Sequence, residues 1–123
     1  MDPLKKPSPA SASEPDQPTE EHAVLLHLPL SDDEFGAESE RASIQQLSDQ
    51  LESTIEEKGV GEFDGDEFGG GTCTLFMYGP DADVLWEAIE SMVRSSHHSF
   101  GGHVIRRYGS ASDPTAREVR LNL

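Results

Sequence analysis

The segment of this chain that most resembles a metal-binding loop combines three acidic residues with a run of glycines. Asp64, Asp66 and Glu67 precede the glycines at residues 69–71, and closely spaced carboxylates can bind calcium. An EF-hand loop that began at Asp64 would need a bidentate glutamate at its twelfth position, where this chain has Leu75. The spacing therefore favours a solvated acidic turn, and we predict no metal site and no cofactor.

Histidines and a single cysteine are the other candidate reactive groups. His97, His98 and His103 are close in sequence, and imidazole commonly binds zinc or nickel, but nothing completes a coordination shell. Metal binding by these histidines stays an alternative. Cys73 falls in a predicted buried strand, which favours a small core residue over a nucleophile. The glycines at residues 69–71 lack the following Lys-Ser/Thr of a phosphate-binding loop. No residue set has the types and spacing of a known reaction centre, so we predict no catalytic residues.

Length and composition indicate one domain preceded by a tail. The chain has 123 residues, enough for a single core. Residues 1–21 carry five of the eight prolines and few large apolar side chains, so we predict a disordered tail there and one α+β domain over residues 22–123. Lys5 and Lys6 are followed by prolines and serines rather than the apolar region of a secretory signal. No apolar run approaches the ~20 residues needed to cross a bilayer. We expect a soluble, cytoplasmic protein.

The charge distribution favours a basic partner over nucleic acid. The formal net charge is −15. Residues 32–67 hold thirteen acidic side chains against Arg41 and Lys58, whereas residues 94–123 hold five arginines against two acids. Phosphate backbones would be repelled by most of this surface, because nucleic-acid affinity depends mainly on cationic side chains.

Apolar periodicity predicts two amphipathic helices. The first begins near Ala37 or Glu38 and ends at Lys58-Gly59, where a cation and a glycine suit a helix C-terminus. Its apolar stripe is Ile44, Leu47, Leu51 and Ile55. The second follows Asp81, a strong N-cap candidate, and ends near Ser95. Its predicted stripe is Leu85, Ala88, Ile89, Met92 and Val93.

Five segments have the pattern of strands. They are residues 22–28, 60–68, 72–78, 103–108 and 117–123. The first and third are apolar on both faces, which predicts cover on both sides, and Asp64-Gly65 predicts a bulge in the second. The last is predicted to form a hairpin with its predecessor across residues 109–116. We expect the large aromatic residues to be core, with the sheet face or an edge as the alternative: Tyr78, Trp86, Phe100 and Tyr108.

The order β-α-β-β-α-β predicts a ferredoxin-like split βαβ fold with an additional C-terminal strand. Both helices would lie on one face of an antiparallel sheet. In the spatial order 4-1-3-2, the acidic second strand and the arginine-bearing fourth strand would occupy opposite edges. The domain is therefore expected to be electrically polarised.

Three segments carry a resemblance to known proteins. Residues 61–69 (Gly-Glu-Phe-Asp-Gly-Asp-Glu-Phe-Gly), 78–85 (Tyr-Gly-Pro-Asp-Ala-Asp-Val-Leu) and 107–109 (Arg-Tyr-Gly) resemble a group of small uncharacterised bacterial proteins of this α+β pattern. The resemblance covers residues 22–123. It implies a bacterial origin and this fold, but it supplies no function. In acidic composition and element order alone, the chain is similar to regulator of ribonuclease activity B, a protein inhibitor of ribonuclease E, from which no motif residues carry over.

The function that these patterns favour is a non-enzymatic, acidic protein-binding or regulatory module that engages a basic protein. A dense anionic surface accelerates encounter with basic partners. The predicted partner-binding residues are Glu52, Glu56, Glu62, Asp64, Asp66 and Glu67. A second copy of the chain is a further expected partner, because an exposed strand edge can pair with another. The alternative from another class is a small ferredoxin-like enzyme that uses the open face of the sheet, which rests on fold analogy alone.

Overall fold

The computed structural model describes residues 21–123, so the predicted tail lies outside it apart from Glu21. Five strands, two α-helices and one turn of 3₁₀-helix follow one another along this part of the chain. Their bounds are β1 His22–Pro29, α1 Glu38–Lys58, β2 Glu62–Gly69, β3 Thr72–Gly79, α2 Ala82–Ser95, the 3₁₀ turn His97–Ser99, β4 His103–Arg107 and β5 Glu118–Asn122. Neither helix in residues 21–123 is apolar enough over a sufficient length to cross a bilayer.

Both helices begin and end at the residues that the sequence predicts. Gly59 closes α1 in the left-handed conformation, with φ of 64°, which a side chain would disfavour. At the start of α1, the Glu40 carboxylate accepts from the Ala37 N–H. The Asp81 carboxylate caps α2, since it accepts from the backbone N–H of Asp83 at 2.9 Å and of the following residue at 3.3 Å. Local side-chain chemistry thus sets where each helix starts.

The sheet is antiparallel and has the order β2-β3-β1-β4-β5. An α+β protein with an antiparallel sheet and two helices is therefore confirmed. The predicted four-strand ferredoxin-like order does not describe the whole sheet, because β5 pairs with β4 and forms the edge that was predicted for β4. The edge strand on the side of the arginines is therefore β5 and not β4. The opposite edge strand is β2, as predicted.

One face of the sheet packs against both helices and forms the core. The side chains of Val24, Leu26 and Leu28 in β1 alternate toward this face and are fully buried. The predicted α1 stripe is buried there as well, and it is joined by three buried residues of β3: Cys73, Leu75 and Met77. In α2, Trp86 belongs to the core, while the predicted stripe residues Ala88 and Met92 pack at its margin.

No helix within residues 21–123 packs on the opposite face of the sheet. This corrects the prediction that β1 and β3 are covered on both faces, because the intervening side chains, such as Leu25 and Phe76, remain only half-buried. Phe100 also departs from its predicted place in the core, with 87% of its surface exposed. Apolar residues on both sides of these strands therefore mark one covered face and one open face.

Candidate protein-binding surfaces

The six predicted partner-binding residues lie on two elements at one edge of the molecule. Glu52 and Glu56 are exposed on α1, and the other four belong to β2. Helix α1 packs against β2, so the two sets of carboxylates border the same edge. We call these six residues the acidic rim.

A β-bulge divides the rim between the two faces of the sheet. The register of β2 against β3 shifts between Phe63 and Asp66, and Gly65 has φ of 109°, so the predicted bulge is confirmed. Asp66 then pairs with Leu75, a residue of the covered face, whereas Glu67 pairs with Thr74 of the open face. The rim therefore extends around the edge instead of converging on one point.

No cation within residues 21–123 neutralises the rim. The ion pairs among these residues join Arg94 to Glu90 at 2.8 Å and Arg106 to Asp83 at 3.1 Å, and neither involves a rim carboxylate. The negative field also affects a neighbour. The pKa of Glu21 is raised, first by burial and then by the charges of Glu62 and Asp64, because a carboxylate near other carboxylates favours its neutral form.

The open face contains an apolar centre made by side chains of three adjacent strands. Leu25 of β1 stands in register with Phe76 of β3 and with Ile105 of β4. Tyr78 lies on the same face, one register step along. All four side chains are half-buried, because neighbours in the sheet shield their sides while nothing in residues 21–123 covers them from above.

Opposite charges flank this apolar centre. On the β2 side, Glu62 and Glu67 pair with open-face positions of β3, and the charge of Asp64 raises the pKa of Tyr78 after the larger effect of burial. On the other side, Arg107 occupies the open face of β4, and Arg120 of β5 stands in register with Ile105. The open face is thus acidic along one edge and apolar in the middle, and its other side carries two arginines, Arg107 and Arg120, together with Glu118.

Two histidines stack beside the apolar centre. The rings of His27 and His103 are 4.5 Å apart at their centroids, and Thr74 Oγ1 lies 3.1 Å from His27 Nδ1. Burial is the first cause that lowers the pKa of each imidazole, and the nearby positive charge of Arg120 contributes to both. His27 was not singled out from the sequence, because its contact with His103 arises from the pairing of β1 with β4.

The other predicted histidines lie elsewhere. His98 Nε2 is 2.8 Å from Ser43 Oγ, at an open cleft of about 260 Å³ between α1 and the segment after α2. The ring of His97 lies tilted by 37° against that of His98, with 4.0 Å between the ring centroids. The structure therefore separates both from His103, and residues 21–123 contain no group of three or more His, Cys, Asp or Glu side chains placed to hold a metal ion.

The Ser43–His98 pair has the atoms of a nucleophile and its base but lacks an orienting partner. Within residues 21–123, the side chain of His98 hydrogen-bonds only to Ser43. The carboxylate of Glu40 raises the pKa of His98 less than burial and His97 lower it, and Glu40 itself accepts from Ser31 and Ala37. A serine is activated when its base is held by a third group, so this pair alone does not define an active site.

Residues of the segments at 78–85 and 107–109 have structural roles. Arg106 and Tyr108 both donate to the Asp83 carboxylate, which ties the start of α2 to the end of β4. The Arg117 guanidinium lies over the Tyr108 ring, 4.4 Å from its centroid. A side chain at Gly79 would begin 2.4 Å from a backbone oxygen. These residues fix packing between elements and form no reaction centre.

Cys73 is a core residue, as its sequence position predicts. The thiol is fully buried, and burial, followed by the charge of Asp66, raises its pKa to about 12. A nucleophilic cysteine needs a stabilised thiolate, so this side chain contributes apolar volume rather than reactivity.

Comparisons with protein-family models, with curated proteins and with solved structures each give no match. The functional argument therefore rests on the rim and the open face themselves.

Proposed function

We propose that the chain is a non-enzymatic protein-binding or regulatory module that engages a basic protein partner through the acidic rim, and that it works in the cytoplasm of a bacterium. The fold that would present the rim is a ferredoxin-like arrangement extended at one edge by β5. A partner whose own function requires a cationic surface, such as a nucleic-acid-binding protein or a nuclease, fits this description, because the rim could occupy that surface and exclude phosphate.

The observation that carries the proposal is the lack of internal compensation at the rim. Glu52 and Glu56 project from the exposed side of α1, and β2 adds further carboxylates at the adjoining edge. No cation within residues 21–123 pairs with them. Uncompensated carboxylates at one edge produce a directed field, which accelerates encounter with a basic surface and fixes its orientation.

The edge position of β2 gives the rim a second means of contact. An edge strand leaves one row of backbone donors and acceptors without a sheet partner, and among residues 21–123 β2 pairs with β3 alone. A partner strand could therefore extend the sheet while its basic side chains meet the carboxylates on either side.

The enzyme alternative on the open face has no specific observation in its favour. His27 hydrogen-bonds to Thr74 and stacks on His103, whereas acid-base chemistry on that face would need a carboxylate or other proton carrier within hydrogen-bond reach of a histidine.

The proposal is tested with a rim variant and a control of equal charge. The triple variant Glu52→Gln, Glu56→Gln, Asp66→Asn neutralises rim carboxylates that lie off the open face. The control is Asp33→Asn, Glu34→Gln, Glu87→Gln, which removes three exposed carboxylates that belong neither to the rim nor to a strand of the sheet. Basic proteins that the wild-type chain retains from bacterial cytosol are purified and titrated against all three forms at increasing salt.

We expect affinity to fall with ionic strength for the wild type and the control. The rim variant should bind about tenfold or more weakly, because a tenfold loss needs only ~1.4 kcal/mol from three charges. Equal losses in the rim variant and the control would show that only net charge matters. Either that result or binding that is insensitive to salt would contradict the proposal.

A further inference from the structure

The open face is a self-complementary surface with β1 at its centre. Two strands flank β1 on each side, β3 and β2 on one and β4 and β5 on the other. Across the middle of the face, the register places Phe76, Leu25, Ile105 and Arg120 in one row. The bulge that contains Asp64 lies at the acidic end of this row.

We propose that two copies of the chain pair through their open faces, about a two-fold axis that runs parallel to β1. Under such an axis, each row of one copy lies over the same row of the other copy. The order of the strands is reversed, so that β2 of one copy lies over β5 of the other. Leu25 then faces Leu25 of the second copy, and Phe76 faces Ile105. The acidic end of each row meets the basic end of the other, which brings Asp64 opposite Arg120.

The neighbouring row fits the same arrangement. Tyr78 and Arg107 occupy equivalent positions on either side of Ala23, so the exchange places each tyrosine ring opposite an arginine of the other copy, a pairing that favours a cation–π contact. At the outer ends of this row, Glu62 would face Glu118. That like-charge contact opposes association, and the favourable contacts of the two rows must offset it.

Charge selects this axis over the other two-fold arrangement of stacked sheets. An axis across the strands would place β2 over β2, and thus bring the open-face carboxylates of β2 against the carboxylates of the second copy's β2. With a net charge of −15 per chain, two copies repel at long range. Association therefore requires the local match of acidic and basic edges that the strand-parallel axis supplies.

The size of the face suits a reversible dimer. Five strands spaced ~4.8 Å apart, each about 20 Å long, give a face of roughly 500 Å² in projection, and two such faces bury on the order of 1,000 Å². That area is at the lower end for specific interfaces, which corresponds to a dissociation constant in the micromolar range.

The chain ahead of β1 fits the open face less well than a second copy does. Residues 1–20 contain Met1 and Leu4 as their only large apolar side chains, and their acids outnumber their lysines. Two large apolar side chains are too few to fill the apolar centre. A second copy supplies apolar, acidic and basic groups in the required order.

The test is the mass of the full chain in solution, measured by sedimentation equilibrium over ~1 µM to ~1 mM, a range that brackets the expected dissociation constant. Leu25→Lys places a charge on the two-fold axis, and Arg120→Asp removes the edge match from an exposed position. Val84→Lys is the control, because Val84 is 47% exposed and belongs to α2, away from the open face. Circular dichroism checks that each variant is folded.

We expect a reversible dimer for the wild type and for Val84→Lys, and a dissociation constant at least about tenfold higher for the two open-face variants. If Leu25→Lys does not fold, Arg120→Asp decides the result. A wild-type chain that stays monomeric over the whole range would overturn the inference, including the case in which residues 1–20 cover the face. A dimer unaffected by the open-face changes would overturn it as well. Neither result bears on the rim variant, whose substitutions lie off this face.

Discussion

The two faces of the sheet use adjacent residues of the same strands in opposite ways. In β1, Leu26 is fully buried beneath the helices, whereas Leu25 is half-buried on the open face. In β3, the same contrast separates Leu75 from Phe76. Side chains alternate between the faces of a strand, so one short apolar run supplies both the core and an uncovered apolar surface. The core and the uncovered apolar surface thus lie on opposite faces of one sheet.

The charged residues follow the same division. Arg106 points to the helix-covered side and is fixed in place by Asp83. By contrast, Arg120 and the rim carboxylates have no ion-pair partner within residues 21–123. Charges that are paired within the domain fix its elements in place, and charges that are not paired are available to another molecule.

Replacing the adjacent β3 residues Leu75 and Phe76 in turn should give the largest difference in stability between the two faces. Leu75→Ala is expected to cost about 3 kcal/mol of unfolding free energy, because it removes buried contacts and leaves a cavity. Phe76→Ala should cost about 1 kcal/mol, since its ring is packed on only one side. Urea denaturation at a low protein concentration, where the chain is monomeric, measures both values.

Equal losses for these two variants would mean that the open face contributes to stability as the core does. That result would remove the distinction between the faces, and with it the argument that Phe76 is available for association.

A smaller effect is expected in the pH dependence of the unfolding free energy, to which His27 of the open face contributes. The pKa of His27 is lowered, first by burial and then by the positive charges of His103 and Arg120. The unfolded chain therefore takes up the proton first as pH falls through its ordinary value of 6.5, so the contribution of the neutral imidazole to stability is present above that pH and is lost below it. We expect the unfolding free energy of His27→Gln to depend less on pH between about 7.5 and 5.5 than that of the wild type.

The matched control for this experiment is His97→Gln, which replaces an exposed histidine outside the open face. Denaturant titrations at several pH values give the slopes. A steeper slope for His27→Gln than for the wild type would show that the imidazole is stabilised in its charged form, contrary to the geometry.

The helices and most of the core could be predicted from the sequence, because local signals determine them. Gly59 and Asp81 mark helix ends through their own backbone and side-chain preferences. The stripe of α1, represented by Ile44 and Ile55, needs only a period of 3.6 residues to be recognised. Trp86 was likewise predicted to be core and is buried, because a large aromatic side chain beside an apolar stripe supplies apolar area.

The open face could not be predicted in the same way. Leu25 and Phe76 predict cover on both faces if each strand is considered alone, because a single strand does not show how many layers the fold contains. The stacking of His27 on His103 depends on strands that are far apart in sequence. The hairpin of β4 with β5 was predicted, but it also makes β5 the edge strand that the four-strand order assigned to β4.

The candidate site was predicted only as a charge distribution. Composition identified the six rim carboxylates, and the bulge at Gly65 was predicted from its glycine. The division of Asp66 and Glu67 between the two faces required the register of β2 against β3, which the bulge changes and which local sequence does not specify.

The most direct test of the account is a charge-reversal cycle across the open face, read as the dissociation constant of the full-chain dimer. Asp64→Arg and Arg120→Asp each place like charges opposite one another and should weaken association about tenfold, while the double variant exchanges the two signs and should recover most of the wild-type affinity. Recovery in the double variant is the result that the account predicts. A double variant that is as weak as, or weaker than, the single variants would contradict it.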